Sequence, residues 1–495
     1  MDEEFHLPEH IIHRIQSFLT GKEATRTSIL SNAWHHAALT RPNLDFDVHD
    51  FRTGRDEDEP YTGSSDDKFS KFVRMTISRY EQLKLKIGSL RFREYTEWGD
   101  TDDDVTCSHV VYKELIPKAL SMGATRLDIG GDFMLPNEVF EAENLVRLSV
   151  EKCRIDLNPL DRPAAVRCPR LESLSLSHVD IVKPNQIYRI ISGCPSIKKL
   201  FFVNNVCYTC LVGVGIANSH MLTCLLCDMT FLNFVTMGDL SSKFPFLKHL
   251  TLHDFWAYPK EIVISSRSLE RLNFICFEQY SEKKIRFDVP SLDKFTYKGP
   301  LIHHISFAPT SKFRVSRLAI EENDGLSTAW FGKLENLVKE LGRSEIHICL
   351  SLGSKAILDY EADEFQRVSK PEVDSVTVHM DGLSSITCYV LFDGLFRIFR
   401  PKIIAHYILP ESSCGRKTNN DLLGKTLLEG LNGKFSAIGS HFIMWSVNDI
   451  KEVNVQLLDD DDVGVWTPLS WDSFLDASRS TYRKRDVRFQ LAWKP

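Results

Sequence analysis

No run of eighteen uncharged apolar residues occurs in the sequence, so no segment is long and oily enough to cross a bilayer as a helix. The first ten residues, MDEEFHLPEH, are acidic where an export leader is basic and then apolar, and no N-x-[ST] glycosylation acceptor is found. These absences predict a soluble, unexported protein of the cytoplasm and/or nucleus. Catalytic signatures are missing too: G-x-S-x-G, H-E-x-x-H and G-x-G-x-x-G do not occur. TGKEAT lacks the earlier glycine of a phosphate loop and has Glu23 where Ser or Thr would hold magnesium. No catalytic residue, cofactor or metal is expected. A cationic excess is also lacking, since 67 acidic side chains face 60 basic ones for a net charge of -7. That balance excludes bulk binding to nucleic acid or anionic membrane and leaves only local basic surfaces.

What is present is an ordinary globular composition, 43% hydrophobic and 26% charged, over 495 residues. That length suits several domains or one repeat array with smaller pieces. The 12 cysteines, in a chain with no sign of export, are expected to be reduced thiols.

Near the N-terminus, Pro8 suits the first turn of a helix, and Ile11, Ile12, Ile15, Phe18 and Leu19 form a stripe at three- and four-residue spacing. Gly21 ends that helix, and a second is expected from about Glu23 to Ala38 with Ile29, Leu30 and Trp34, before Pro42 stops it. Two such helices cannot bury this surface on each other and need a partner. Over positions 6–46 the segment resembles the F-box: the LP start, IIHRIQSFLT, GKEATRTSILSNAW and the RPNLDFD exit follow in order. The resemblance implies docking on the Skp-type adaptor of a cullin-RING ubiquitin ligase, with Leu7, Pro8, Ile11, Ile12, Ile15, Ile29, Leu30 and Trp34 forming or supporting the interface. Asn32 and Ala33 depart from the basic residues that commonly follow the LS pair in that family.

A charged, turn-rich stretch, FRTGRDEDEPYTGSSDDKF, reads as an exposed loop, as does EWGDTDDDV. From about residue 120, apolar residues recur at positions 1, 4 and 6. The copies are Leu145, Leu148 and Val150; Leu171, Leu174 and Leu176; Ile197, Leu200 and Phe202; Leu222, Leu225 and Cys227; Leu247, Leu250 and Leu252; Leu269, Leu272 and Phe274; Leu292, Phe295 and Tyr297. Weaker copies are Leu127 and Ile129, then Val315, Leu318 and Ile320, then Val373, Val376 and Val378. The spacing is that of leucine-rich repeats, each unit adding one short parallel strand whose inward face only its neighbours can bury. The alternate residues should line a concave face. Arg147, Lys199, Phe201, Cys224, Leu226, His249, His253, Arg271, Lys294 and Lys298 are the substrate-binding candidates there, and their cationic excess predicts an acidic or phosphorylated protein target.

The same register bears on CYTCLVGVGIANSHMLTCLLC, where two C-x-x-C pairs suggest zinc by spacing alone. Cys227 falls at an inward position, Cys207 at the later apolar position held elsewhere by Ile155 and Ile181, and Cys224 on the concave face. Those sulfurs do not converge, so zinc is not expected. Past residue 380 the repeat fades. Val453, Val455, Leu457 and Val487, Phe489, Leu491 alternate as strands, giving a mixed α/β region expected to close the repeat array.

The fold expected is therefore α/β: an F-box over 1–50, an acidic linker and N-terminal cap over 51–119, a curved leucine-rich-repeat solenoid of parallel strands over 120–380, and a capping region over 381–495. This order of modules resembles the plant F-box/LRR (FBD-like) proteins. The resemblance implies a non-catalytic substrate-recognition subunit of an SCF-type (Skp-cullin-F-box) E3 ubiquitin ligase. The alternative is an interaction scaffold whose F-box-like hairpin has lost the adaptor. A small anionic ligand joining the site is a third reading, on architecture alone.

Overall fold

A computed structural model describes residues 7–51, 64–94, 108–157, 166–181, 185–203, 221–228, 240–254, 261–277, 284–301, 304–323, 325–342, 344–353, 360, 370–380, 385–406, 450–458, 466–470 and 487–494. The chain forms two compact units, Met1–Asn233 and Phe234–Pro495.

The first unit opens with three short helices, α1 (Glu9–Gln16), α2 (Gly21–Thr27) and α3 (Asn32–Thr40). Sequence periodicity read the last two as one helix. The break falls where Ser31 turns extended and its hydroxyl accepts from the Trp34 amide, which starts α3 anew. At the head of α2, Thr20 and Glu23 form a reciprocal capping box. Gln16, buried on α1, ties the three together by donating to the Thr27 hydroxyl at 3.0 Å and the Trp34 carbonyl at 3.3 Å.

Seven parallel strands follow in chain order: β1 (Asn43–Asp47), β2 (Ser89–Arg93), β3 (Arg126–Gly130), β4 (Arg147–Glu151), β5 (Ser173–Ser177), β6 (Lys199–Val203) and β7 (Cys224–Asp228). The parallel stack thus begins at Asn43, well before residue 120. Helices α4 (Ser64–Gln82) and α5 (Ser108–Ser121) connect its first three strands. The stretch read as an exposed loop in fact includes the first turns of α4, while its preceding residues 52–63, like EWGDTDDDV, lie outside the described residues. One inward rung runs Leu44, Leu90, Leu127, Leu148, Leu174, Leu200, Leu225, and a second runs Phe46, Phe92, Ile129, Val150, Leu176, Phe202, Cys227; every member is buried.

In the second unit β8 (His249–Asp254), β9 (Arg271–Cys276), β10 (Lys294–Gly299), β11 (Val315–Glu322), β12 (Glu345–Leu352), β13 (Glu372–Met380) and β14 (Arg400–His406) pair in parallel. A smaller parallel sheet, Glu261–Ser265, Lys284–Asp288 and His304–Phe307, accompanies the first of these. Phe287, Phe295, Phe307 and Phe313 fill the space near it with ring centroids 4.8 to 6.5 Å apart. Beyond β14 the direction reverses: Val487–Trp493 pairs antiparallel to β14 and to Ile450–Leu458, which pairs antiparallel to Trp466–Leu469. The strands expected around Val455 and Phe489 are these.

The seven strong repeat copies all point their 1, 4 and 6 side chains inward, none more than 3% exposed. The weak copy at Val315 is out of step. Phe295 pairs with Ser316 and Tyr297 with Leu318, so the inward set is Phe313, Ser316 and Leu318, and Val315 stands only half-buried. A buried serine disguised the register: its hydroxyl is satisfied by Ser344 Oγ at 2.8 Å, which removes the cost of an unpaired polar group.

Candidate functional site: a helical docking face and a cationic sheet face

On the three-helix module the structure separates the predicted adaptor residues. Ile11 and Ile15 on α1, Ile29 and Leu30 in the turn before α3, and Pro8 are exposed, whereas Leu7 and Trp34 are half-buried. Ile12 is 1% exposed and belongs to the packing beneath, so it supports the face and is not part of it. Phe18, 73% exposed, adds to the uncovered apolar surface, with Arg14 stacked over its ring at 5.0 Å. Ile29 is 86% and Leu30 63% exposed, and Glu9 on α1 meets His36 on α3 at 3.1 Å. Several large apolar side chains exposed on one small module make it a candidate interaction surface.

The outward face of the first sheet carries Arg147, Lys199, Phe201, Cys224 and Leu226, all exposed or half-buried as the alternation requires. The register sets them in two rows. One runs Asn43, Ser89, Arg126, Arg147, Ser173, Lys199, Cys224, and the next runs Asp45, Arg91, Asp128, Ser149, Ser175, Phe201, Leu226. An open basin of about 530 Å³ lies over β2 to β6. Sequence reasoning missed Arg91, Arg126 and Asp128, because β2 and β3 are flanked by helical insertions that break the repeat period. The alternation of SLRFR and RLDIG was the available signal.

Charges within the basin are unequally satisfied. Arg91 lies 3.8 Å from Asp45 and 3.7 Å from Asp128, and Arg93 reaches Asp128 at 3.1 Å. Among the described residues, Arg126 and Arg147 have no ion pair. Glu172, beside Arg147, is held below the usual carboxylate range by its hydrogen bond and 2.7 Å ion pair with Lys198, with Arg147 adding a minor contribution.

On the outward face of the second unit's sheet stand His249, His253, Arg271, Lys294 and Lys298. Burial pushes the His253 imidazole below its ordinary value, which favours the neutral ring and takes one expected cation from the count. Lys298 lies 3.8 Å from Glu321. Asn273 donates to Thr251 Oγ1 at 3.1 Å, a cross-strand link between rungs.

Of the C-x-x-C cysteines, Cys207 and Cys210 lie outside the described residues. Cys227 is fully buried, and Cys224 is half-buried on the outward face next to Lys199. Burial raises the Cys224 thiol, only partly countered by Lys199, and burial raises Cys349 likewise. Both should therefore alkylate more slowly than a free cysteine at neutral pH, because the thiolate is the nucleophile. Peptide mapping after timed iodoacetamide treatment checks this, and labelling of Cys224 at or above the free rate contradicts it.

Comparison with known proteins bears on the repeat region. The family model for the LRR repeats of the FBD-associated F-box protein At5g56370 matches residues 124–242. Among curated proteins of Arabidopsis thaliana, the chain is 26% identical over 298 residues to F-box/LRR-repeat protein At3g59200, covering 60% of this chain and 45% of that one. It is 24% identical over 322 residues to F-box protein At3g03040, covering 64% and 55%. It is 29% identical over 209 residues to the putative F-box/LRR-repeat protein At5g41840, covering 40% and 36%. The matched region spans about half or less of each relative's length.

Proposed function

Since this chain is a relative of the plant F-box/LRR-repeat proteins, we propose that it is a substrate-recognition subunit of an SCF-type ubiquitin ligase, acting in the cytoplasm and/or nucleus. The α1–α3 module docks on a Skp-type adaptor, and outward sheet faces hold a protein target. The observation that carries the reading is the exposure of Ile11, Ile15, Phe18, Ile29 and Leu30 on a module whose helices are tied together by the Gln16 amide. Its contribution is positional: holding a target near the ubiquitin-charged carrier raises the effective concentration of the acceptor lysine. The covalent chemistry belongs to other subunits.

Co-expression with a Skp-type adaptor tests it. A stoichiometric complex surviving gel filtration at micromolar concentration is the expected result. A chain that elutes alone favours the scaffold reading, to which the departures at Asn32 and Ala33 point.

A further inference from the structure

The basin on the first unit's sheet contains a charge arrangement that folding alone does not explain. Arg126 and Arg147 are partners in register, so two guanidinium groups share one face on adjacent strands, about 4.8 Å apart at the backbone. Like charges placed opposite each other across a ladder cost stability. Arg91 and Arg93 are compensated by Asp45 and Asp128 on their own sheet, but Arg126 and Arg147 are not ion-paired among the described residues. On the far side of the pair the row continues through Ser173 to Lys199. Small residues, Ser149, Ser173 and Ser175, floor the depression between the arginines and Phe201. Each half-buried hydroxyl can donate one hydrogen bond.

We propose that this basin is a receptor for a phosphorylated serine or threonine carried by a partner protein, with Arg126 and Arg147 clamping the phosphoryl oxygens, the three serine hydroxyls donating from below, and Phe201 packing against a flanking residue. The proposal rests on the target-binding role given above and names its chemistry. Phosphate fits better than carboxylate, because two guanidinium forks and three hydroxyls exceed what two oxygens can accept. A phosphomonoester offers three strong acceptors and about two negative charges. A free small molecule fits less well: such ligands are mostly enclosed in apolar pockets, and this basin is open and bordered by arginine and serine side chains. Because Asp45 and Asp128 take up Arg91, the face offers no long row of uncompensated cations for an extended polyanion, which favours a single phosphate over a nucleic acid.

The test uses the full-length chain and bead-bound peptides with degenerate flanks around a fixed phosphoserine, with serine and glutamate versions as controls. At physiological salt, retention on phosphoserine should exceed that on serine by at least about tenfold, and Arg126→Ala with Arg147→Ala should remove most of that difference. Lys312→Ala, at an exposed position of the second unit, should leave it intact. Equal retention on serine and phosphoserine beads overturns the proposal. So does phosphate-dependent retention that persists in the double variant, or that single-stranded DNA or phosphatidylserine vesicles displace as readily as soluble phosphopeptide. Adaptor co-purification on the same preparations separates the two ideas. Phosphoserine retention without adaptor binding supports the basin and counts against the ligase role, and adaptor binding without phosphoserine retention does the reverse.

Discussion

Changing Ile29 and Leu30 together to glutamate should abolish co-purification with a Skp-type adaptor, a loss of more than about a thousandfold in affinity, while the protein stays folded. The two halves of that expectation come from one measurement. At 86% and 63% exposure these side chains contribute little to the module's own packing, and substitutions at such sites usually move stability by only about 0.5 kcal/mol either way. In a complex the same side chains would be desolvated, and each buried anchor of that size carries about 2 kcal/mol or more. Burying two carboxylates without partners costs further. Affinity measured by calorimetry, with thermal unfolding as the control, checks both halves. A double variant that still binds within tenfold places the adaptor elsewhere. Ile12→Glu is the instructive contrast: it should unfold the module, since Ile12 is 1% exposed.

Gly299→Ala should cost at least about 3 kcal/mol of stability in the second unit. Gly299 ends β10 with φ of +124°, outside the region open to residues bearing a Cβ. A methyl built there would lie 1.9 Å from the Cys276 carbonyl oxygen of β9, a contact no rotamer can relieve because the obstacle is backbone. The rungs on either side are fixed by Phe274 against Tyr297, stacked with centroids 6.0 Å apart, so neither strand can withdraw without opening the core. Tyr297 also donates its hydroxyl to the Pro300 carbonyl, pinning the chain just past the glycine. Chemical denaturation of the two proteins reads the difference, and a loss under about 1 kcal/mol would show that the rungs can separate there at little cost.

How much of this was legible beforehand depended on local regularity. Where the chain repeats leucine at positions 1, 4 and 6, the inward set could be read directly, because alternation along a strand follows from backbone geometry alone. Leu145 through Tyr297 show it. It failed where a polar residue took an inward position. Arg41 stands where Leu145 stands in a later repeat, three residues before the buried Leu44, and is itself buried, with its guanidinium pKa lowered by desolvation. Its carbonyl accepts the Tyr80 hydroxyl from α4, a partner far along the chain. Ser316 hid the β11 register in the same way.

The sequence by itself determined the strand period, the inward faces of the regular repeats, the apolar stripe of the N-terminal segment, and the likeness to the F-box and leucine-rich-repeat families. Only the tertiary structure decided where the parallel stack begins and which cations on its face are neutralised. The reason is register. Asp45, Arg91 and Asp128 are distant in the chain and become neighbours only when β1, β2 and β3 pair, and that pairing, by spending its carboxylates on Arg91 and Arg93, leaves Arg126 and Arg147 to face outward without an ion pair among the described residues.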